Sequence, residues 1–403
     1  QGRHRTPQTE SDSSRRRAGK ERDAAADLHH HGGRPDLLRD HPAQRQRGIR
    51  RGQLPGAVRV DRARSNQAWR AQGLSPLVLS PLGFSLLRRL SDGEVHSGEA
   101  LAAESGISRA RVSQLLKEAD AAGLSLERRR GRGYRLPDAL PFLERDAILA
   151  ALGERGAGLS VEVADILDST SSELVRRAAG GDIDRHLLAA EWQTAGRGRR
   201  GRGWTAVIGG SLCFSLGWRF EQGAGFLSGL PLVVGLALAR ALEGEGFSGV
   251  ALKWPNDLVH GSAKLGGILV ELSGDALGPS LAIIGVGLNV RLSAALRREI
   301  AQPITDLATV AGARAIDRNA LLARIAAELF AVLEIYAGAG FAPLRAAWQR
   351  RHAFQKKSVR IQLPDGGTVR GEVVGVDSDG ALVLDSGGRR LRFVSGEVSL
   401  RRP

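Results

Sequence analysis

Between Gln222 and Ala239 the chain runs eighteen residues without a charge, and such a segment belongs either in a bilayer or inside a protein core. Gly223, Gly225, Gly229, Gly235 and Pro231 interrupt it, which suits a helix wrapped by protein better than a membrane span. A buried helix from Gly225 to Leu242 is therefore expected, and the segments around it read as strands. Ser211 to Trp218 alternates Leu212, Phe214, Leu216 and Trp218, the period of a half-buried antiparallel strand. Asp182 to Trp192 ends in a strand, and Val250 to Trp254, Gly266 to Leu272 and Leu281 to Val290 are three more. Arg318 to Leu333 reads as an amphipathic helix. Strands in runs, without regular alternation with helices, place the chain in the α+β class, with a central mixed α/β sheet domain over residues 141–353. Residues 354–403 carry short Val/Leu/Ile strands with turns at Pro364–Gly367 and Asp377–Gly380, as a small SH3-like β-barrel would.

Ahead of this block, Phe84, Leu86, Leu87 and Leu90 suggest a helix. Ser97 caps a second one through Glu104, Gly106 turns the chain, and Ser108 caps a third with Val112, Leu115, Leu116 and Ala119 at helical spacing. Leu124 to Leu136 reads as two short strands around a glycine-containing turn. Three helices and a basic hairpin make a winged helix-turn-helix over residues 76–140, and Pro137 and Pro141 mark a linker.

Residues 1–75 are of another kind. Leu, Ile, Val and Phe supply 7 of the first 72 residues, too few to offset the entropy of folding, so the segment is expected to be disordered. It is compatible with translation from upstream of the true start, and its His29-His30-His31 run reads as low complexity. Those 72 residues hold 17 Lys/Arg against 8 Asp/Glu, a charge of +9, which leaves +6 of the total +15 for the other 331. The N-terminus has no apolar core of the kind a secretory signal needs. A single cysteine, Cys213, excludes a disulfide framework and a multi-cysteine metal site, which fits a reducing, cytoplasmic setting with no membrane partner. Only six of the 58 basic residues are lysine, and two of these, Lys253 and Lys264, fall in the motifs described next.

Gln193-Thr-Ala-Gly-Arg-Gly-Arg-Arg-Gly-Arg-Gly-Trp204 places glycines at 196, 198, 201 and 203 among arginines at 197, 199, 200 and 202. Glycines let backbone N–H groups approach a ligand, and the guanidinium groups select an anion that carries phosphate. No Gly-Lys-Ser/Thr follows, so this is not a Walker A loop, and alone it also fits a flexible RNA-binding loop. After it come Lys253-Trp-Pro-Asn-Asp-Leu258, Lys264-Leu-Gly-Gly-Ile-Leu-Val-Glu271 and Gly285-Val-Gly-Leu-Asn289, with Asp168-Ser-Thr170 upstream.

This ordered set, over about residues 80–403, closely resembles the biotin–protein ligase family, in its bifunctional subgroup that is also the biotin-operon repressor. The resemblance implies an ATP-dependent ligase that forms biotinyl-5'-AMP with Mg2+ and passes biotin to a lysine of a biotin carboxyl carrier protein. It implies that Ser169, Thr170, Ser171 and Gln193 meet the biotin ring, although many family members have asparagine at the position of Ser171. Arg197, Gly198 and Arg199 match the loop over the adenylate, and Gly267 and Leu269 flank biotin. Lys264 matches the lysine at the carboxylate and α-phosphate, so that Lys264 and Arg199 are the expected catalytic pair. Arg200, Arg202, Trp204, Asn256 and Asn289 match the nucleotide side. Lys253 and Asp257 are open to two readings, magnesium or phosphate positioning and a structural salt bridge. No metal ligand set is assigned. Gly285 and Gly287 also admit a simpler role in bending the backbone, and Trp254-Pro255 one as a strand terminus. Cys213, alternating with Phe214 in a strand, reads as core.

For the N-terminal domain, Ser108, Arg109, Arg111 and Gln114 lie on the exposed face of the third helix, where arginine and glutamine suit base edges of operator DNA. Arg128, Arg129, Arg130 and Arg132 of the wing suit phosphates. The resemblance further implies a homodimer when biotinyl-AMP is bound. Three rival readings remain: a ligase with a non-regulatory winged helix, a lipoate-type ligase of similar fold, and a ligand-sensing repressor without activity. Retention of Arg199 and Lys264 speaks against the last.

Overall fold

The computed structural model describes residues 79–401 apart from 122–123, 125, 137–139, 275–276, 313, 364–365 and 395–398. The 1–75 segment, Pro137 and half of the Pro364–Gly367 turn therefore lie outside the described residues.

The first elements are α1 (Pro81–Arg89), α2 (Gly98–Ser105) and α3 (Arg109–Ala121). Their ends follow local chemistry. The Ser80 and Ser97 hydroxyls accept from Gly83 N and Ala100 N at 3.2 and 3.0 Å, and Ser108 Oγ accepts from Arg111 N at 3.2 Å. Gly106 stops α2 at φ +62°, a conformation that costs a glycine nothing. Leu86, Leu90, Leu101, Val112, Leu115, Leu116 and Leu136 form one buried cluster. Antiparallel strands β1 (Glu127–Arg129) and β2 (Gly133–Arg135) form the hairpin. It is tied to the helices by a pair of 2.9 Å backbone hydrogen bonds between His96 and Tyr134.

The central unit begins with α4 (Arg145–Leu152), β3 (Ser160–Leu167), α5 (Thr170–Ala178), β4 (His186–Gln193), the short strands β5 (Gly196–Arg197) and β6 (Gly203–Trp204), and β7 (Ser211–Phe220). After α6 (Leu230–Gly244) come β8 (Val250–Lys253), β9 (Asp257–His260), β10 (Ala263–Gly274) and β11 (Ser280–Asn289). The unit closes with α7 (Ala294–Glu299), α8 (Leu307–Ala311), α9 (Arg318–Ala339) and α10 (Ala342–Arg350). Seven strands make one mixed sheet in the order β3-β4-β7-β11-β10-β9-β8, parallel only at β3–β4. One face carries α6, which is buried nearly all round, with α9 packed on it, and the core runs through Leu212, Phe214, Leu216, Leu236, Ile284 and Leu329. The other face carries α5, through Leu174, Ile183, Leu188 and Ile283. The stretch Ala224–Gly244 is long and apolar enough to cross a membrane, with a mean hydropathy of 1.7, and 72% of that window is buried in the protein.

Several boundaries differ from expectation. The apolar helix does not begin at Gly225: Ala224–Gly229 is a 3₁₀ turn, and α6 starts at Leu230 with Pro231 in its first turn, where proline's missing N–H goes unmissed. The strand expected to end at Trp254 ends at Lys253, and four-residue β9 follows, too short to show periodicity. The strand expected over Gly266–Leu272 is the longer β10, which bulges between Lys264 and Gly266. Pro141, read as part of a linker, is clamped, since its carbonyl accepts from Arg318 Nη2 at 2.8 Å.

The last sheet is antiparallel and five-stranded: β12 (Ser358–Gln362), β13 (Thr368–Val376), β14 (Leu382–Ser386), β15 (Arg389–Phe393) and β16 (Ser399–Arg401), in the order β15-β14-β13-β12-β16. It shares the main core through Val359, Ile361, Val373 and Leu384. The fully buried Trp254 donates to Gly380 O at 3.1 Å, so this tryptophan joins the two sheets and does more than end a strand.

Candidate active site

The motifs meet at one end of the central sheet, in a cleft lined by the N-terminus of α5, the end of β4, the β5–β6 hairpin, the β8–β9 turn and the middles of β10 and β11. Ser169, Thr170, Ser171, Gln193, Arg197, Gly198, Arg199, Arg200, Arg202, Trp204, Asn256, Lys264, Gly267 and Leu269 all line it. Asn289 does not. It sits at the end of β11, where its amide donates to Thr305 O at 3.0 Å and ties down the segment after α7.

The wall by α5 is polar but sheltered. Ser169 caps α5, and Asp168 fixes the turn before it by accepting from Ser169 N and gripping Arg176 through two 2.8 Å hydrogen bonds. Gln193 Oε1 accepts from Thr170 N and Thr170 Oγ1 at 2.7 and 3.1 Å, and Thr170 and Ser171 both bond the buried Ser215 hydroxyl. Such a wall suits a neutral ligand group with its own donors and acceptors.

Next to it Trp204 forms an apolar face. A Cβ on Gly287 would lie 2.3 Å from Trp204 Cε2, and one on Gly285 2.4 Å from Ser171 Oγ. Neither glycine has a positive φ. They are glycines because the ring and the hydroxyl rest against the strand, not because the backbone must bend. Cys213 lies behind the wall, and burial pushes its thiol up to about 12, which leaves it a core residue and no nucleophile.

The other end is cationic. Six Arg/Lys side chains line the cleft (Arg197, Arg199, Arg200, Arg202, Lys253 and Lys264) against one carboxylate, Asp257. Lys264 is aimed by the β10 bulge, with its backbone held by Pro303 O and Thr305 N, and its ammonium lies 2.8 Å from Asp257. Asp257 thus pairs with Lys264. Arg197 makes a bidentate pair with Glu271 at 2.6 and 3.0 Å, and Arg199 donates to Asn256 Oδ1 at 2.8 Å. Burial, then the charges of Arg200 and Arg202, lower the Arg199 pKa, with Asp257 acting against them. A cation held at such a disadvantage gains when an anion arrives. The hairpin that carries these arginines is shaped by its own bonds, Gly198 N to Arg202 O at 2.7 Å among them, and Arg200 takes φ +59°.

Sequence reasoning missed Ser215, Glu271 and Gln302, the last of which lines the cleft. Among the described residues no group of three or more His, Cys, Asp or Glu is placed to hold a metal.

Ser108, just before α3, and Arg109 and Gln114 on it are exposed, while Arg111 is half-buried and 3.9 Å from Glu118. Arg128, Arg129, Arg130 and Arg132 are exposed on the hairpin, with Arg129 pairing with Glu127 at 3.3 Å and Arg128 lying 5.9 Å over the Tyr134 ring.

Residues 183–289 match the Biotin/lipoate A/B protein ligase family, and 357–401 the Biotin protein ligase C terminal domain. The chain is 35% identical over 324 residues to the Bifunctional ligase/repressor BirA of Escherichia coli, which covers 79% of this chain and 97% of that protein. It is also 35% identical over 273 residues to the Biotin--[acetyl-CoA-carboxylase] ligase of Mycobacterium tuberculosis, 63% of this chain and 98% of that one. Among solved structures, the Aquifex aeolicus biotin protein ligase in complex with biotin and ATP superposes with a TM-score of 0.53 at 28% identity, over 60% of this chain and 99% of that one. Motifs that converge on one cleft, a sheet of matching architecture and relatives aligned over nearly their whole length agree: the chain belongs to the biotin protein ligase family.

Proposed function

We propose that this protein is an ATP-dependent biotin–[acetyl-CoA-carboxylase] ligase. It forms biotinyl-5'-AMP and transfers biotin to an acceptor lysine on a biotin carboxyl carrier protein. The observation that carries this reading is the division of one cleft into a neutral hydroxyl–amide wall, an indole face and a cluster of six cations. The wall and indole suit the biotin bicycle, and the cations suit its carboxylate and the phosphates of ATP.

In the first step a biotin carboxylate oxygen attacks the α-phosphorus, the bond to the bridging oxygen breaks, and pyrophosphate leaves with its electron pair. Negative charge builds where Lys264 and Arg199 converge, and a preplaced cation lowers that barrier. In the second step the neutral acceptor lysine nitrogen attacks the biotinyl carbonyl, the acyl C–O bond breaks, AMP leaves with the electron pair, and the nitrogen gives its extra proton to solvent. Proximity does most of this work, since the mixed anhydride is already activated. Arg197, fixed to Glu271, and Gly198 form the cover, with Gly267 and Leu269 beneath biotin. Arg200, Arg202, Trp204 and Asn256 face the nucleotide. Mg2+ would be held chiefly by the phosphates of ATP, with Asp257 the one carboxylate among the described lining residues available to it, and would neutralise charge on the departing pyrophosphate.

The regulatory half rests on the N-terminal elements. Residues 76–140 are proposed as a winged helix-turn-helix that binds operator DNA and represses biotin synthesis genes. Arg109 and Gln114 would read bases, Ser108 and Arg111 would support them at the start of α3, and the hairpin arginines would meet phosphates. Residues 141–353 form the ligase domain and 354–403 an SH3-like barrel. Adenylate neutralises the arginine-rich hairpin and so favours a dimer that places two α3 helices on one duplex. Incubation with Mg-ATP, labelled biotin and a carrier domain is expected to release pyrophosphate and label one lysine. Equal labelling by lipoate would refute the assignment.

A further inference from the structure

Behind the polar wall the hydroxyl groups form a relay in which every proton has one allowed position. It starts at Gln193, whose side-chain oxygen accepts from the Thr170 backbone N–H at 2.7 Å. A backbone N–H can only donate, so the amide orientation is fixed. That oxygen cannot donate, so the Thr170 hydroxyl, 3.1 Å away, spends its single proton on it. Thr170 can then only accept from Ser215 at 2.8 Å, and Ser215, its own proton committed, can only accept from Ser171 at 3.0 Å. The donors run one way, from Ser171 to Ser215 to Thr170 to Gln193.

Ser215 is fully buried in β7, directly across from Gly285 of β11, and is not part of the cleft lining, whereas Ser171 and Gln193 are. The ideal Cβ position of Gly285 is 2.4 Å from Ser171 Oγ and 3.5 Å from Ser215 Oγ, so the strand has no side chain where the hydroxyls meet. Thr170, Ser171 and Gln193 are 3, 5 and 7% exposed, too little for water to reorient the relay at no cost.

With its proton turned inward, Ser171 shows the ligand lone pairs only. Gln193, with its oxygen turned inward, shows the ligand N–H groups only. We infer that Ser215 is a positioning residue for substrate choice: it sets the wall as acceptor at Ser171 and donor at Gln193. That polarity selects a cyclic urea, whose carbonyl oxygen is flanked by N–H donors. The inference rests on the biotin reading above and adds to it the residue that enforces the head-group pattern.

The test uses the full chain without ATP and measures binding by calorimetry. The ligands are biotin, desthiobiotin and the two cyclic carbamate analogues of biotin in which one urea N–H is replaced by a ring oxygen. The parent is expected to bind biotin and desthiobiotin and to hold at least one carbamate about 100-fold or more weaker, since a ring oxygen facing Ser171 sets acceptor against acceptor. Ser215→Ala frees the Ser171 proton to turn outward. It is expected to weaken biotin about 10-fold and to narrow the gap between biotin and that carbamate by a similar factor. Should Ser215→Ala fail to fold, Ser215→Cys fills the site with a somewhat larger thiol, donates weakly and is expected to narrow the same ratio. A variant with a lowered melting temperature but an unchanged biotin-to-carbamate ratio would make Ser215 a packing residue and overturn the inference. A parent that binds no biotin would instead refute the ligase reading beneath it.

Discussion

Gly287→Ala separates a close-approach glycine from a flexible one. Because Gly287 has no positive φ, alanine brings no backbone strain, and the whole effect is steric. The new methyl would sit 2.3 Å from Trp204 Cε2 and 2.7 Å from Cδ2 and Cζ2. Carbon atoms rest about 3.5 Å or more apart, so the indole must retreat by about 1 Å. Overpacking of this kind costs roughly 1–3 kcal/mol, and a displaced binding wall costs on the order of 100-fold in turnover. Trp204 moves toward neither side freely, with Lys264 5.9 Å from its ring and Cys213 behind it. Pyrophosphate release titrated with biotin is the assay, with thermal melting in parallel. The expected result is a large loss of kcat/KM with a modest loss of stability, and Trp204→Leu in the same chain should restore stability but not activity. A variant with parental kinetics would return Gly287 to the role of a flexible residue.

Other outcomes follow from the same geometry. Lys264→Ala should slow adenylation by about 100- to 1,000-fold, more than it weakens biotin binding, because it also leaves Asp257 facing the phosphates; equal losses in stopped-flow and calorimetry would remove it from the chemistry. Arg318 and Glu191 form a buried pair at 2.7 Å that also binds Pro141 O, Ser211 O, Leu143 N and Gly209 N. Arg318→Met should therefore cost about 3–5 kcal/mol, and adding Glu191→Leu should recover only part of it, because the four backbone groups that the pair serves stay unpaired; a denaturant cycle showing independent effects would contradict this. His352, buried against Trp348, has its pKa lowered to about 4 by burial. Its folded value lies below the unfolded one, so its share of stability is full above about pH 6.5 and falls by up to about 3 kcal/mol as the pH drops towards 4. His352→Leu should flatten that limb in urea titrations, and an unchanged slope would refute the assignment. For the regulatory half, selection from a random duplex pool should enrich a two-fold symmetric site when biotin and ATP are present; enrichment indifferent to them would leave an enzyme without the switch.

The lining of the cleft was legible because its residues come in contiguous motifs: the spacing from Gln193 to Trp204 needs no tertiary knowledge. The α6 helix and β7 were legible for the same reason, as each carries a long periodic signal. What escaped is what the fold assembles from single residues. Ser215 looks like any polar position in an alternating strand, and only the sheet register puts it between Thr170 and Ser171. Arg318 is one of many arginines, and nothing local marks it as the partner of Glu191, more than a hundred residues away. Asn289 sits in a recognisable motif, yet its amide is claimed by Thr305, a contact that motif matching cannot see. Four-residue β9 spans only two strand periods, too few for alternation to stand out.

In the proposed mechanism one cleft joins the biotin carboxylate to the α-phosphorus of ATP before the acceptor lysine attacks. Biotin labelled with ¹⁸O in both carboxylate oxygens, turned over with Mg-ATP and a carrier domain, tests it directly by mass spectrometry of the nucleotide product. The expected product is AMP that carries one labelled oxygen, the atom that attacked phosphorus and stayed with it when the lysine took the acyl group. AMP without label, or ADP as the product, would contradict it.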